Sequence, residues 1–405
     1  MYALLALGAY AFYVQALGGV VAPFMAKEFA LGDAGVTGIA GWISLGAIGA
    51  ALLTRLADRH GRRGILLLCF ALLPPLSLAS ALAPGVTSYA LAQLGVSVLF
   101  LTLLAGITVV VSERASDGER AAGMAWFGLS GALGGGLAFG LAAAVDHLPG
   151  GWRGLWAVAA LPVLAIPLAR RALSETSRFE RAREQGKVER ARVRDLFGAV
   201  YRQRTIGLLV VSLLRPIAFV ATTTWPFYHM VRTLGLSPAL ASLVFLVGGG
   251  IGQLGNPLGA RWSNVSGRRP TSLVGSFVAV LAGILFYWVP AGPFALIPLM
   301  ALTAASQGAI AALSVSDRLI GTELFPTALR ATFAGASGLV QAAAAIATQF
   351  ALSLLTAPLG GLVPAITWLS ALTFVPGIVV FLRVVPETRG LSLERAALED
   401  EPAAP

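Results

Sequence analysis

Residues 55–63 read Arg55-Leu56-Ala57-Asp58-Arg59-His60-Gly61-Arg62-Arg63, and residues 264–269 read Asn264-Val265-Ser266-Gly267-Arg268-Arg269. Each is a short basic patch around a glycine, set between two long apolar runs. The second patch lies 206 positions after the first. Glu113 and Arg120 recur as Glu323 and Arg330 at an offset of 210, and Ser174-Glu175-Thr176 recurs as Pro386-Glu387-Thr388 at an offset of 212. Paired signals in the same order argue that one unit is written twice. Six apolar runs per unit preserve orientation, so the repeats are parallel, related by an axis along the membrane normal.

The sequence around the patches is mostly apolar. Hydrophobic residues make up 57% of the 405 and charged residues 12%, against about 25% charged in a soluble domain. Mean hydropathy is +0.80. A membrane-spanning helix needs about 20 apolar residues. Twelve runs qualify: 2–24, 35–57, 63–83, 87–111, 121–145, 154–172, 205–230, 238–260, 271–290, 294–316, 331–356 and 361–383. The breaks are short except at 173–204, which is polar and basic and divides six runs from six. The reading is an all-α membrane protein of twelve transmembrane helices in two pseudo-symmetric six-helix bundles. The first bundle is 1–172, the cytoplasmic linker 173–204, the second bundle 205–385 and the cytoplasmic tail 386–405.

Basic residues gather on cytoplasmic loops. With both termini in the cytoplasm, 25 of the 29 Lys and Arg fall at cytoplasmic ends. Lys27, Arg153 and Arg232 fall outside, and Arg215 falls within the seventh run. One missed helix would invert every later loop, so the skew supports the count. The net charge of +10 therefore orients the chain in a cell inner membrane rather than binding nucleic acid. The single cysteine, Cys69, permits no intrachain disulfide. Three scattered histidines form no metal cluster, and no cofactor is expected. The chain is apolar from Tyr2 with no basic region before it, so no cleavable signal is read, and a short basic tail upstream of Met1 is expected. There is no P-loop, no Ser–His pair and no paired aspartates at membrane depth, which argues against an ATP-driven pump or an intramembrane enzyme. A membrane sensor would carry a long soluble domain, and the sequence has none.

Arg55–Arg63 resembles the loop 2–3 signature of the major facilitator superfamily. Glu323-Leu324-Phe325-Pro326-Thr327, and Pro386-Glu387-Thr388-Arg389-Gly390 followed by Leu391-Ser392-Leu393-Glu394, resemble the branch of the sugar porters and the metabolite and aromatic-acid proton symporters. The similarity runs the whole length. It implies a monomeric transporter of a small solute working by alternating access, with helices 1, 4, 7 and 10 lining the cavity and helices 2, 5, 8 and 11 forming the seam between halves. It also implies that Asp58 latches helix 2 to helix 11 and holds the cytoplasmic side shut. Arg59, Arg62 and Arg63 are expected either to pair with Glu113 or Glu323, with Arg120 and Arg330 in the same gate, or to serve only as orientation signals. The sequence departs from the pattern at Thr54, where the family has glycine, and at Asn264, where it has a second Asp. The stretch Tyr10–Gln15 lacks the aspartate that many proton symporters of the branch carry. Proton symport, facilitated diffusion and antiport all stay open.

Arg215 lies about ten residues into its run, roughly 15 Å deep by helical rise. A lone Arg there costs at least about 2.5–3.5 kcal/mol. No Asp or Glu is read at matching depth; Glu28, Glu113, Asp146, Asp317 and Glu323 all fall at helix ends. An unpaired cation invites an anion, which Arg can bind bidentately, and Pro216 frees a nearby carbonyl. Arg215 is therefore expected to bind a small organic anion or related metabolite, with a sugar or drug as the alternative solute. A later helix start would instead leave Arg215 to snorkel to the surface. Tyr13, Gln15, Trp225, Tyr228 and Gln307 join it as substrate contacts, or else act as interhelical glue. The glycines Gly131/Gly135, Gly136/Gly140, Gly248/Gly252 and Gly255/Gly259, with Gly38, Gly41, Gly46 and Gly49 in helix 2 and Gly335 and Gly338 in helix 11, are expected at the seam, or else in ordinary tight packing between helices.

Overall fold

In lipid every backbone N–H and C=O must be paired internally, and helices do this within one segment. Each of the twelve apolar runs is accordingly a helix long and apolar enough to cross a membrane. They are α1 (Leu4–Glu28), α2 (Asp33–Ala57), α3 (Arg62–Ala81), α4 (Val86–Val111), α5 (Trp126–Ala143), α6 (Trp152–Arg171), α7 (Arg202–Arg232), α8 (Pro238–Ser266), α9 (Arg268–Tyr287), α10 (Leu296–Gly321), α11 (Thr332–Thr356) and α12 (Leu362–Val384). The computed structural model describes residues 2–114, 120–172, 193–198 and 200–389. Within them, the side chains at 3, 58–60, 112–114, 120–122, 124, 125, 172, 322, 327, 328 and 331 are excepted. Most of the expected linker and the end of the tail lie outside the described residues.

The chain divides into two units, Met1–Val188 with Met230–Leu243, and Glu189–His229 with Val244–Pro405. Each has the same packing plan. In the first, α1 packs on α4 and α5, α2 on α4, and α3 on α4 and α6. In the second, α8 packs on α10, α9 on α10 and α12, and α7 on α11 and α12. The patches at the repeat's core are also built alike. Gly61 ends α2 at φ +104 and donates its N–H to Ala57 O; Gly267 ends α8 at φ +108 and donates to Ser263 O. That backbone region is open essentially to glycine alone, so each stops one helix and starts the next at once.

Two helices of the second half are broken. α7 runs from Arg202 to Thr224, interrupts at Trp225 and resumes over Pro226–Arg232; Pro226 lacks the N–H that would continue the ladder. α8 passes through a π-turn at Phe245–Gly249 and a tight turn at Gln253 and Leu254. Its glycines decide between the two readings of the sequence. A β-carbon at Gly255 would sit 2.0 Å from Gly308 O, and one at Gly248 2.7 Å from Met300 O. Gly252 and Gly259 likewise meet Gln307 and Ala312. All four press α8 onto α10 inside the second half, the tight packing that is the alternative to a seam.

Candidate functional site

Polar groups in the second half lie in two layers. The outer layer surrounds the start of α9. Glu387, just past α12, accepts the backbone N–H groups of Arg268 and Arg269, each at 3.0 Å, and of Arg389 at 2.9 Å. Its carboxylate thus sits on a helix N-terminus, where the dipole favours an anion. Burial works to raise its pKa, but these backbone donors outweigh it and hold the carboxyl below the ordinary range. Glu323 closes α10 and accepts from Arg268 at 3.4 Å and from the Thr388 hydroxyl. Arg330 donates to Phe325 O at 2.9 Å. Of the predicted gate residues, Glu323 and Arg330 are therefore engaged within their own half. Arg62 and Arg63 open α3, where Arg63 donates to Arg170 O at 3.0 Å. The side chains of Asp58, Arg59, Glu113 and Arg120 lie outside the described residues.

The inner layer is one step deeper and centres on Arg215. Its Nη2 donates to Asp317 Oδ2, and its Nη1 to Ser272 Oγ at 3.0 Å and Ser276 Oγ at 3.4 Å. The Ser272 hydroxyl donates to Asp317 Oδ1 at 2.6 Å. The rings of Phe381 and Phe219 flank the guanidinium at 5.5 and 6.0 Å. The side chain of Arg215 is 12% exposed and that of Asp317 26%.

This overturns the premise that no acid matches Arg215 in depth. The tenth apolar run does not end at 316, because the helix continues to Glu323 with no proline before Pro326. Asp317 is thereby an interior residue. The depth needs correcting too. Ser272 is four residues beyond Arg268, and Asp317 six before Glu323, so at 1.5 Å per residue the pair lies about 6–9 Å inside the outer layer. That is nearer one end of the bundle than its middle.

The other candidates divide by their contacts. The Tyr13 hydroxyl donates to Leu155 O at 2.9 Å and is buried, so it ties α1 to α6. Trp225 is buried, donates Nε1–H to Gln349 at 3.2 Å and meets Tyr228 edge to face at 5.7 Å, which ties the break in α7 to α11. Gln15 is exposed on α1. Gln307 lines a small, open pocket with Thr222, Thr223, Phe245, Phe286 and Thr303. Its amide bonds to no described residue. Sequence reasoning missed Asp317, Ser272 and Ser276 as site residues; the two serines share one face of α9 by their spacing of four.

A profile of the family described as Major Facilitator Superfamily matches residues 3–349. No curated protein sequence matches significantly. Among solved structures, the chain is similar to a D-xylose–proton symporter at 18% identity, covering 96% of this chain and 98% of that one with a TM-score of 0.72. It is similar to the inward-open xylose transporter XylE from E. coli at 16% identity, covering 98% of each with a TM-score of 0.73. A mutant of the nucleoside transporter NupG matches at 13% identity, 94% and 98% coverage and a TM-score of 0.75. At these identities the likeness is one of fold.

Proposed function

We propose that this chain, which belongs to the Major Facilitator Superfamily, moves a small organic anion across a cell inner membrane by alternating access. As a member of that family it is a multi-pass membrane transporter of small solutes. The proposed unit is a monomer of two bundles, 1–172 and 205–385, with both termini in the cytoplasm; the asymmetry of Lys and Arg supports that orientation. Asp58, Arg59, Glu113 and Arg120 are proposed to form the cytoplasmic gate of the first half.

One observation supports the anion. A guanidinium is held inside a transmembrane helix, flanked by aromatic rings, with a carboxylate already on its donor edge. A substrate carboxylate offers the same two oxygens in the same geometry. The test is uptake of labelled benzoate, lactate and xylose into proteoliposomes. Carboxylate uptake is expected in the native protein and lost at least tenfold in Arg215→Gln. Xylose uptake without carboxylate uptake would refute the anion class.

A neutral, hydroxyl-rich solute such as a sugar is the second reading. It draws on the pocket at Gln307, where Thr222, Thr223, Thr303 and Ser306 offer uncharged hydroxyls beside the rings of Phe245 and Phe286. The same assay separates the two.

A further inference from the structure

The hydroxyls of the pocket at Gln307 can accept hydrogen bonds but have no proton left to donate. On α7, Thr222 gives its proton to Ala218 O at 3.0 Å and Thr223 to Phe219 O at 2.7 Å. On α10, Thr303 donates to Leu299 O at 2.8 Å, and Ser306 reaches across to Ala279 O on α9 at 3.1 Å. A hydroxyl has one proton and two lone pairs, so each of these four offers an occupant lone pairs alone. The amide of Gln307 adds a carbonyl oxygen.

Two further features favour positive charge at this spot. The helix segment Arg202–Thr224 ends here, and a helix C-terminus is the negative end of its dipole. The rings of Phe245 and Phe286 line the same pocket, and ring faces attract cations. The pocket also stands apart from the guanidinium. Arg215 meets Ser276, and Thr222 and Gly283, each seven residues further along the same two helices, meet in turn. Seven residues span about 10 Å, and Asp317 neutralises Arg215 at that distance.

The repeat shows that the fold does not need this opening. A β-carbon on Gly46 would sit 2.7 Å from Ser97, and one on Gly252, at the offset of 206, would sit 2.8 Å from Gln307. Ser97 is therefore the counterpart of Gln307, at the offset of 210. By the same offsets Gln93 stands for Thr303 and Ser80 for Phe286. Gln93 donates to Ser80 Oγ at 2.8 Å, and all three first-half residues are buried. An internal hydrogen bond thus spans, in the first half, the two positions that wall a pocket in the second.

We infer that this pocket binds the primary ammonium group of a small amine, held by the oxygens of Thr222, Thr223, Thr303, Ser306 and Gln307 and by the two rings. An ammonium carries three donors and no acceptor, the complement of that lining. A quaternary ammonium has the charge without an N–H, a carboxylate has acceptors alone, and a sugar has no charge for the rings and the helix end. Among the described residues no Asp or Glu lines the pocket, so the charge is met by neutral oxygens, as carbonyl rings meet cations in ion filters. The inference stands without the anion assigned to Arg215.

Ethylamine binding to the full chain in nanodiscs tests it, read by calorimetry at neutral pH, where an alkyl amine is charged. The native protein should bind ethylammonium, and tetramethylammonium, acetate, xylose and potassium should not displace it. Gln307→Glu sets a carboxylate in place of the amide and should tighten binding about tenfold, since a charge-assisted bond is roughly twice as strong as a neutral one. That outcome is a gain, which a misfolded variant cannot imitate. Thr223→Val with Thr303→Val removes two acceptors and should weaken binding about tenfold, while Tyr13→Phe in the first half should bind as the native protein does. No ethylammonium binding by the native protein would overturn the inference. So would displacement by xylose or by potassium, or one affinity shared by the native protein, Gln307→Glu and the double threonine variant.

Discussion

Asp317→Ile leaves the Arg215 guanidinium inside α7 with two serine hydroxyls and two ring faces, but without its counter-charge. Removing one partner of a buried pair costs about 3–5 kcal/mol, because the other charge stays desolvated. Asp317 is 26% exposed, which lets water screen the orphan, so the lower end, about 3 kcal/mol, is expected. Arg215→Met should cost a similar amount by leaving Asp317 with Ser272. The two together remove both charges and approach the apolar filling of the first half, where the repeat offsets of 206 and 210 put buried Leu66, Phe70 and Ile107 in place of Ser272, Ser276 and Asp317. The double variant should therefore be no less stable than either single one. The coupling energy is then at least about 3 kcal/mol, at the top of the usual range for contacting residues. Equilibrium unfolding in mixed SDS micelles measures all four corners of the cycle. A double variant that loses about 6 kcal/mol, the plain sum of the singles, would refute the reasoning from the repeat.

Gly267→Ala forces an alanine to φ +108 and sets a β-carbon 2.4 Å from the Glu387 carboxylate. A loss of more than about 1 kcal/mol is expected, with faster tryptic cleavage at Arg389. Glu387 has a lowered pKa in the folded protein, so its docking is complete above the ordinary carboxylate range and is lost as pH falls through the lowered value. Limited proteolysis should find the tail protected at neutral pH and released in acid, whereas in Glu387→Gln it is cleaved at every pH. Tyr13→Phe removes only the bond to Leu155 O. It should cost about 1 kcal/mol of stability and leave the uptake KM unchanged; a raised KM would make Tyr13 a substrate contact.

Hydrophobicity and charge placement made the fold legible, because lipid leaves a chain few choices. Twelve runs of sufficient length became twelve helices, and the loop glycines of the repeat became the two stops Gly61 and Gly267. The site was half legible. Arg215 stood out because a guanidinium inside an apolar run is costly. Its partner was hidden because hydropathy falls at Asp317-Arg318, which looks like a loop even though the helix runs on to Glu323. The repeat held the missing signal. The 210 offset maps Asp317 onto Ile107, well inside the fourth apolar run. The α8 glycines were ambiguous for a different reason: spacing of four marks a face that packs closely, but not which neighbour it meets. That required the carbonyl of Gly308 on α10. Tyr13 and Trp225 were ambiguous for the same cause, since a polar group in a span can face a cavity or a neighbouring backbone.

The most direct test of an anion site at Arg215 is benzoate binding by calorimetry to the purified full chain. The native protein should bind benzoate, and Arg215→Gln at least about tenfold more weakly, with Tyr13→Phe unchanged. Equal benzoate affinity in the native protein and Arg215→Gln would contradict the anion site.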